Sequence, residues 1–169
     1  MTFRKINKVY FVGIGGIGMS GIAELLLNLG FKVSGSDMSE NENVIRLKKI
    51  GIDVNIGHDP ANVSDSDVLV YSSAIPLENP EIMKARQKGI PVIRRAEMLG
   101  ELINVKETSI AVGGTHGKTT TSSMIGAILS HAKLDPTLVV GGLVQNLNTN
   151  SKLGSGDIIV VEADEFDRS

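Results

Sequence analysis

Short apolar runs alternate along the chain with longer segments in which apolar residues recur every three or four positions. Residues 8–13 (KVYFVG) read as a buried strand, and 17–29 as a helix with Ile22, Leu25, Leu26 and Leu29 on one face. Gly30 closes that helix, as a residue just past a helix end often does. A second strand over 31–36 runs into Asp37. An amphipathic helix over 42–50 stops at Gly51, and 52–56 makes a weaker third strand. Residues 67–71 (DVLVY) form another buried strand, ending in the polar turn Ser72-Ser73. Pro80 opens a helix to about 88, and a short strand over 91–93 leads into a helix over 96–103. Strands alternating with helices of this length predict a parallel, doubly wound sheet with right-handed crossovers.

The same grammar then restarts. A polar stretch at 104–108 (NVKET) precedes a strand over 108–112, a second glycine loop and a helix over 118–131. Two more strands are expected at 136–140 and 157–161. The glycine- and asparagine-rich 141–156 between them reads as a loop. Two domains follow, 1–104 and 105–169. Three strands and one helix are too few to cover both faces of a sheet. The second domain is therefore expected to be the truncated beginning of a larger one.

The glycines cluster where ligands meet backbone. Gly13-Ile14-Gly15-Gly16-Ile17-Gly18 matches G-x-G-x-x-G, follows a strand, opens a helix, and has Asp37 at the end of the next strand. That is the context of the dinucleotide fingerprint. Gly13 permits the tight turn, Gly15 lets a diphosphate approach the backbone, and Gly18 lets the helix pack on the strand. Asp37 is placed to accept from a ribose hydroxyl. The pattern identifies a ligand with a ribose and a diphosphate, which a UDP-sugar satisfies as well as NAD does. Ser72 and Ser73 sit at the C-terminal end of a strand, where open α/β sheets bind ligands.

Gly113-Gly114-Thr115-His116-Gly117-Lys118-Thr119-Thr120 carries the GKT core of a phosphate loop. Val112 stands where the strict motif has its first glycine. The loop amides can still cradle phosphates, Lys118 can reach the β- and γ-phosphates, and the Thr119 hydroxyl is placed to ligate Mg²⁺. The strand over 157–161 ends at Glu162-Ala163-Asp164-Glu165. An acid at such a strand end is where a Mg²⁺ ligand is expected, Glu162 first and Asp164 as runner-up. The fold class is thus α/β: a Rossmann-like, doubly wound parallel-sheet domain, then the beginning of a P-loop ATP-binding domain. His116 is open between a phosphate contact and a solvent-facing ring. His58 reads first as a loop histidine and only second as a diphosphate contact. Arg94 and Arg95 are open between an anionic-substrate contact and surface charge.

Composition narrows the classes. The chain has 41% hydrophobic and 21% charged residues, as ordinary globular proteins do, and a formal net charge of -2, which argues against a general nucleic-acid binder. Without cysteine there is no disulfide, thiol catalysis or zinc-thiolate site. No apolar run approaches a membrane span or a signal peptide, so the expected location is the cytoplasm.

Taken together, 11–21 (FVGIGGIGMSG), 34–37 (SGSD), 72–75 (SSAI), 94–99 (RRAEML), 114–121 (GTHGKTTT) and 162–165 (EADE) resemble the Mur ligase family in order and spacing. The resemblance covers the whole chain. It implies a first domain holding the UDP of UDP-N-acetylmuramate, with Gly15, Gly16, Ile17 and Gly18 at the diphosphate. It implies a central domain in which Gly114, Thr115, His116, Gly117, Lys118, Thr119 and Thr120 serve ATP, Lys118 acts catalytically, and Thr119 and Glu162 serve Mg²⁺. The first loop with Met19-Ser20-Gly21 is more specific to the alanine-adding branch than the ATP loop, so the resemblance implies L-alanine as the second substrate, although the amino-acid site is expected outside this sequence. The implied reaction passes through an acyl phosphate, and a piece of this length alone is expected to be inactive. An NAD-dependent oxidoreductase would explain only the first loop, and a nucleotide-sensing module would explain both without catalysis. A sister ligase attaching a recycled tripeptide to the same sugar nucleotide would share the ATP loop.

Overall fold

A computed structural model describes residues 6–63, 65–104, 106–144 and 149–163. The chain forms two compact units, residues 1–98 and 99–169.

The first unit holds a five-stranded parallel sheet in the order β3-β2-β1-β4-β5. Its strands are β1 (Lys8–Val12), β2 (Lys32–Asp37), β3 (Asp53–Ile56), β4 (Val68–Tyr71) and β5 (Val92–Arg94). Between them run α1 (Ile17–Asn28), α2 (Glu42–Lys49) and α3 (Pro80–Gln87); α4 (Arg95–Ile103) follows β5 and spans the division between the two units. The strand order reverses beside β1, so right-handed crossovers put α1 and α2 on one face and α3 on the other. β1 and β4 are buried almost throughout, which is why they read as continuous apolar runs. Tyr10 and Val12 of β1 pack with Val63, Leu69, Tyr71, Ile82 and Ala85 on the α3 side. Fully burying an apolar side chain of that size stabilises by about 1.5–3 kcal/mol, so these strands hold the unit together.

On the opposite face, Gly35 is required by packing. A Cβ there would lie 2.5 Å from the Phe11 carbonyl oxygen and 2.9 Å from Ile14 Cδ1. Asn41 caps α2 by accepting from the Val44 N–H, and Asn79 caps α3 by accepting from Glu81 and Ile82, with Pro80 at the first helical position.

The second unit is a four-stranded sheet in the order β6-β9-β7-β8, with α5 (Lys118–His131) against it. The strands are β6 (Thr108–Val112), β7 (Thr137–Val144), β8 (Thr149–Lys152) and β9 (Ile158–Glu162). β9 is central, parallel to both β6 and β7, and its Ile159, Val160 and Val161 are buried. α5 approaches β7 closely at Gly126, where a Cβ would meet Leu138 Cδ2 at 2.7 Å.

One expectation is corrected here. The 141–156 segment does not run as a loop: β7 extends to Val144, and β8 pairs with it antiparallel. An edge strand needs only backbone partners, and the sequence TNSK carries no apolar alternation to announce it. Residues 145–148 lie outside the described residues. Among the described residues, no helix is long and apolar enough to cross a membrane.

Candidate functional site

The glycine loop after β1 is held from below. Gly13 adopts φ +79°, a left-handed conformation that favours glycine. The N–H groups of Gly13 and Ile14 both donate to the Ser36 carbonyl at the end of β2, at 2.9 and 3.0 Å. The Gly15 N–H donates to the Asp37 carboxylate at 2.8 Å, and the Gly16 N–H reaches back to Gly13 O at 3.3 Å. The Gly15 carbonyl accepts from the side-chain amides of Asn43 at 2.8 Å and Asn41 at 3.3 Å.

Gly15 is buried, and a Cβ on it would meet Asn41 Nδ2 at 2.7 Å and both Asp37 Oδ2 and Val44 Cγ2 at 2.8 Å. The space beside it is filled by protein. Asp37 is occupied in bracing the loop and also accepts from the Ser39 N–H at 3.2 Å. The loop's exposed part is Gly16 and Ile17, with Gly18 half-buried on the first turn of α1. Sequence reading missed Asn41 and Asn43. Both look like ordinary helix-start residues, and only the fold shows where their amides point.

A Cβ on Gly13 would lie 3.3 Å from Ile75 and 3.6 Å from Ser72 Cβ, so the loops after β1 and β4 touch. Ser72 is half-buried, with its N–H on Val12 O at 3.4 Å, while Ser73 is exposed. Ser72 is thus brought to the glycine loop, and Ser73 stands outward beside it.

Behind the loop lies a buried carboxylate that sequence reading did not single out. Glu81 is fully buried and accepts from Tyr10 Oη at 2.8 Å, Ser36 Oγ at 2.5 Å, Asn62 Nδ2 at 2.9 Å and the Asp59 N–H at 3.3 Å. His58 Nδ1 stands 3.0 Å from the same carboxylate. His58, in the loop after β3, is therefore a partner of Glu81 and Ser36. Burial first, and the neighbouring Glu81 charge after it, push the Tyr10 hydroxyl well above its ordinary range. Ser36 links the two systems, its hydroxyl on Glu81 and its carbonyl under the glycine loop.

The second loop, residues 113–117, joins β6 to α5. Gly114 has φ +141°, and Gly117, the N-cap of α5, sits in the left-handed region at φ +77°. No side chain caps the helix, and no acid lies in its first turn, so its leading N–H groups have no side-chain cap and no intrahelical partner. Lys118 Nζ donates to Gly114 O at 2.6 Å, folding the ammonium over its own loop. Thr115, His116 and Thr120 are exposed, and Thr119 is half-buried. Glu162 ends β9 directly opposite Val112, the last residue of β6, and the Ala163 N–H binds Val112 O at 3.0 Å. The carboxylate thus lies at the strand end beside the loop. Its Oε1 is buried and meets no hydrogen-bond donor among the described residues, although the residue has other interactions. Asp164, the runner-up, lies outside the described residues.

Known proteins share this arrangement. The Mur ligase catalytic-domain model matches residues 8–107, and the Mur ligase middle-domain model matches 112–165. The chain is 58% identical over 165 residues to the UDP-N-acetylmuramate--L-alanine ligase of Acidiphilium cryptum, covering 98% of this chain and 34% of that protein. It is 56% identical to the enzyme of the same name from Aquifex aeolicus, covering 100% of this chain and 37% of the other. Among solved structures, the UDP-N-acetylmuramate-alanine ligase of Thermotoga maritima superposes with a TM-score of 0.85 at 34% identity, covering 92% of this chain and 37% of that one. A UDP-N-acetylmuramate:L-alanyl-gamma-D-glutamyl-meso-diaminopimelate ligase from Neisseria meningitidis gives 0.86 at 30% identity, over 96% of this chain and 54% of that one. The chain spans about a third of the length of the curated relatives it matches. Two consecutive family models, matched in order across both strand–loop–helix units, make this chain a member of the Mur ligase family.

Proposed function

We propose that the protein carrying this sequence is an ATP-dependent ligase that joins the carboxylate of UDP-N-acetylmuramate to L-alanine, in the cytoplasm. The observation that supports this most is the coexistence in one chain of two different glycine loops, each between a strand and a helix. One lies at the switch point of a doubly wound sheet and the other leads into α5 with Lys118 at its start. A dehydrogenase has no use for the second. Relatives named for the alanine-adding reaction, 58% and 56% identical over 98% and 100% of this chain, favour that substrate pair.

The chemistry must bring two anions together. A muramate carboxylate oxygen attacks the γ-phosphorus of ATP, the bond from γ-phosphorus to the bridging oxygen breaks, and ADP departs. The alanine amine then attacks the acyl carbon, phosphate leaves, and the nitrogen loses a proton. The amides of Gly117, Lys118 and Thr119 and the Lys118 ammonium lower the repulsion in the first step, acting where charge develops. Thr119 and Glu162 offer hard oxygen donors of the kind Mg²⁺ takes, and the half-buried hydroxyl and strand-end carboxylate fit it. Held by Thr119 and Glu162, Mg²⁺ would supply further positive charge to offset that of the phosphates.

The test is phosphate release from ATP by the full-length protein, with UDP-N-acetylmuramate and one amine at a time. L-Alanine should drive release. Release with the L-alanyl-γ-D-glutamyl-meso-diaminopimelate tripeptide and not with L-alanine would assign the sister activity instead.

A further inference from the structure

We propose that His58 is the ribose contact of the first site, its Nε2 accepting a hydrogen bond from a ribose hydroxyl of the nucleotide sugar; this rests on the functional reading above. Nε2 is buried and meets no hydrogen-bond partner among the described residues, while the side chain as a whole is 10% exposed. Native proteins rarely strand a polar atom in such a place, and one that stands alone has a reason, a bound partner among them.

The network behind the ring decides which nitrogen carries the proton. Glu81 takes the hydroxyl protons of Tyr10 at 2.8 Å and Ser36 at 2.5 Å, an Asn62 amide N–H at 2.9 Å and the Asp59 N–H at 3.3 Å. His58 Nδ1 stands 2.9 Å from Ser36 Oγ and 3.0 Å from Glu81 Oε2. Ser36 has a single hydroxyl proton and gives it to Glu81, and a carboxylate ringed by donors has none to return. Both neighbours of Nδ1 are therefore acceptors, so Nδ1 carries the hydrogen. In a neutral imidazole that leaves Nε2 with a lone pair, able to accept and unable to donate. A carboxylate that holds one ring nitrogen fixes the tautomer and the orientation in which the other is offered.

The position fits a ribose. His58 follows β3 at the C-terminal end of the sheet, where open α/β sheets take their ligands. The Gly57 N–H donates to the Asp37 carbonyl at 2.8 Å, tying the His58 loop to the residue at which dinucleotide-binding folds hold ribose hydroxyls. Asp37 itself engages both carboxylate oxygens with backbone N–H groups, Oδ2 with Gly15 and Oδ1 with Ser39. Next to it, His58 offers an acceptor that nothing else fills. Diphosphate oxygens at neutral pH are acceptors only and have no use for a bare lone pair; a hydroxyl has.

The test measures how UDP and 2′,3′-dideoxy-UDP displace UDP-N-acetylmuramate from the whole chain, wild type and H58N, by competition calorimetry. Asparagine can still donate toward Glu81 from the place of Nδ1 and puts no atom at Nε2. Wild type should prefer UDP to the dideoxy analogue by about 3- to 10-fold, the share of one hydrogen bond, and H58N should lose that preference. A folded H58N that keeps the wild-type preference would overturn the inference, since the ribose would then rest on another acceptor. Proton–nitrogen NMR correlation of the imidazoles gives a reading from wild type alone if H58N does not fold. Nδ1 should be protonated and Nε2 bare in the free chain, and UDP, but not the dideoxy analogue, should shift the Nε2 resonance. An Nε2–H tautomer, or an Nε2 resonance that neither nucleotide moves, as a buried water there would give, would overturn the inference alone. A wild-type chain that binds no UDP-N-acetylmuramate would overturn the functional reading and this inference with it.

Discussion

The Gly15 N–H donates to the Asp37 carboxylate at 2.8 Å, tying the glycine loop after the first strand to the end of the second. An acid in that position ordinarily invites comparison with a ribose acceptor. Here it braces the loop that presents the helix start, and Gly15 is small because Asp37, Asn41 and Val44 occupy the space beside it.

Gly15→Ala should therefore lower stability as well as ligand affinity. Its Cβ would press on three neighbours at 2.7–2.8 Å. Overpacking of this kind costs about 1–3 kcal/mol. Chemical denaturation of the variant measures it, and a variant as stable as wild type would show that the three side chains relax freely.

Glu81→Ala should be more damaging than Glu81→Gln. Truncation leaves the Tyr10 and Ser36 hydroxyls, the Asn62 amide and the Asp59 N–H without their buried acceptor. Each stranded group costs about 1–3 kcal/mol. Glutamine keeps one acceptor oxygen and the volume. Urea unfolding of both variants ranks them, and equal midpoints would contradict a central role for the carboxylate.

Asp135 gives a pH signature in the second unit. The Ser155 N–H, then Lys152 and the Ser155 hydroxyl, hold its carboxyl at about 2, below its ordinary 3.8. A depressed folded-state value means that the ionised group stabilises above about pH 4, and that this contribution fades as pH falls toward 2. Asp135→Asn should be less stable than wild type at pH 7, with the gap closing between about pH 4 and 2. A gap that persisted unchanged at pH 2 would assign the effect to something other than ionisation.

Both loops and most elements were legible because apolar periodicity and glycine spacing are local. The helix expected over 118–131 coincides with α5, and the strand ending at Asp37 with β2. What escaped depends on residues far apart in sequence. Glu81 follows Asn79-Pro80 at a helix start, so it reads as a capping acid; only the fold brings Tyr10, Ser36 and His58 around it. β8 escaped because edge pairing is a property of backbone.

Lys118→Ala separates the two loops. Removing a charge aimed at the transferring phosphoryl group costs about 3–4 kcal/mol, or roughly 10²–10³-fold in rate. In the full-length protein, turnover should fall by that factor while UDP-N-acetylmuramate affinity is retained. Lost sugar-nucleotide affinity with an intact ATP-dependent rate would mean that the loops are assigned the wrong way round.

The most direct measurement is a calorimetric titration of this chain with UDP-N-acetylmuramate and, separately, with NAD. The glycine loop, braced by Asp37 and leading into the first turn of α1, is assigned to a uridine diphosphate sugar. Saturable binding of UDP-N-acetylmuramate, with no heat from NAD, is the predicted result. Tight NAD binding with none for the sugar nucleotide would contradict the account.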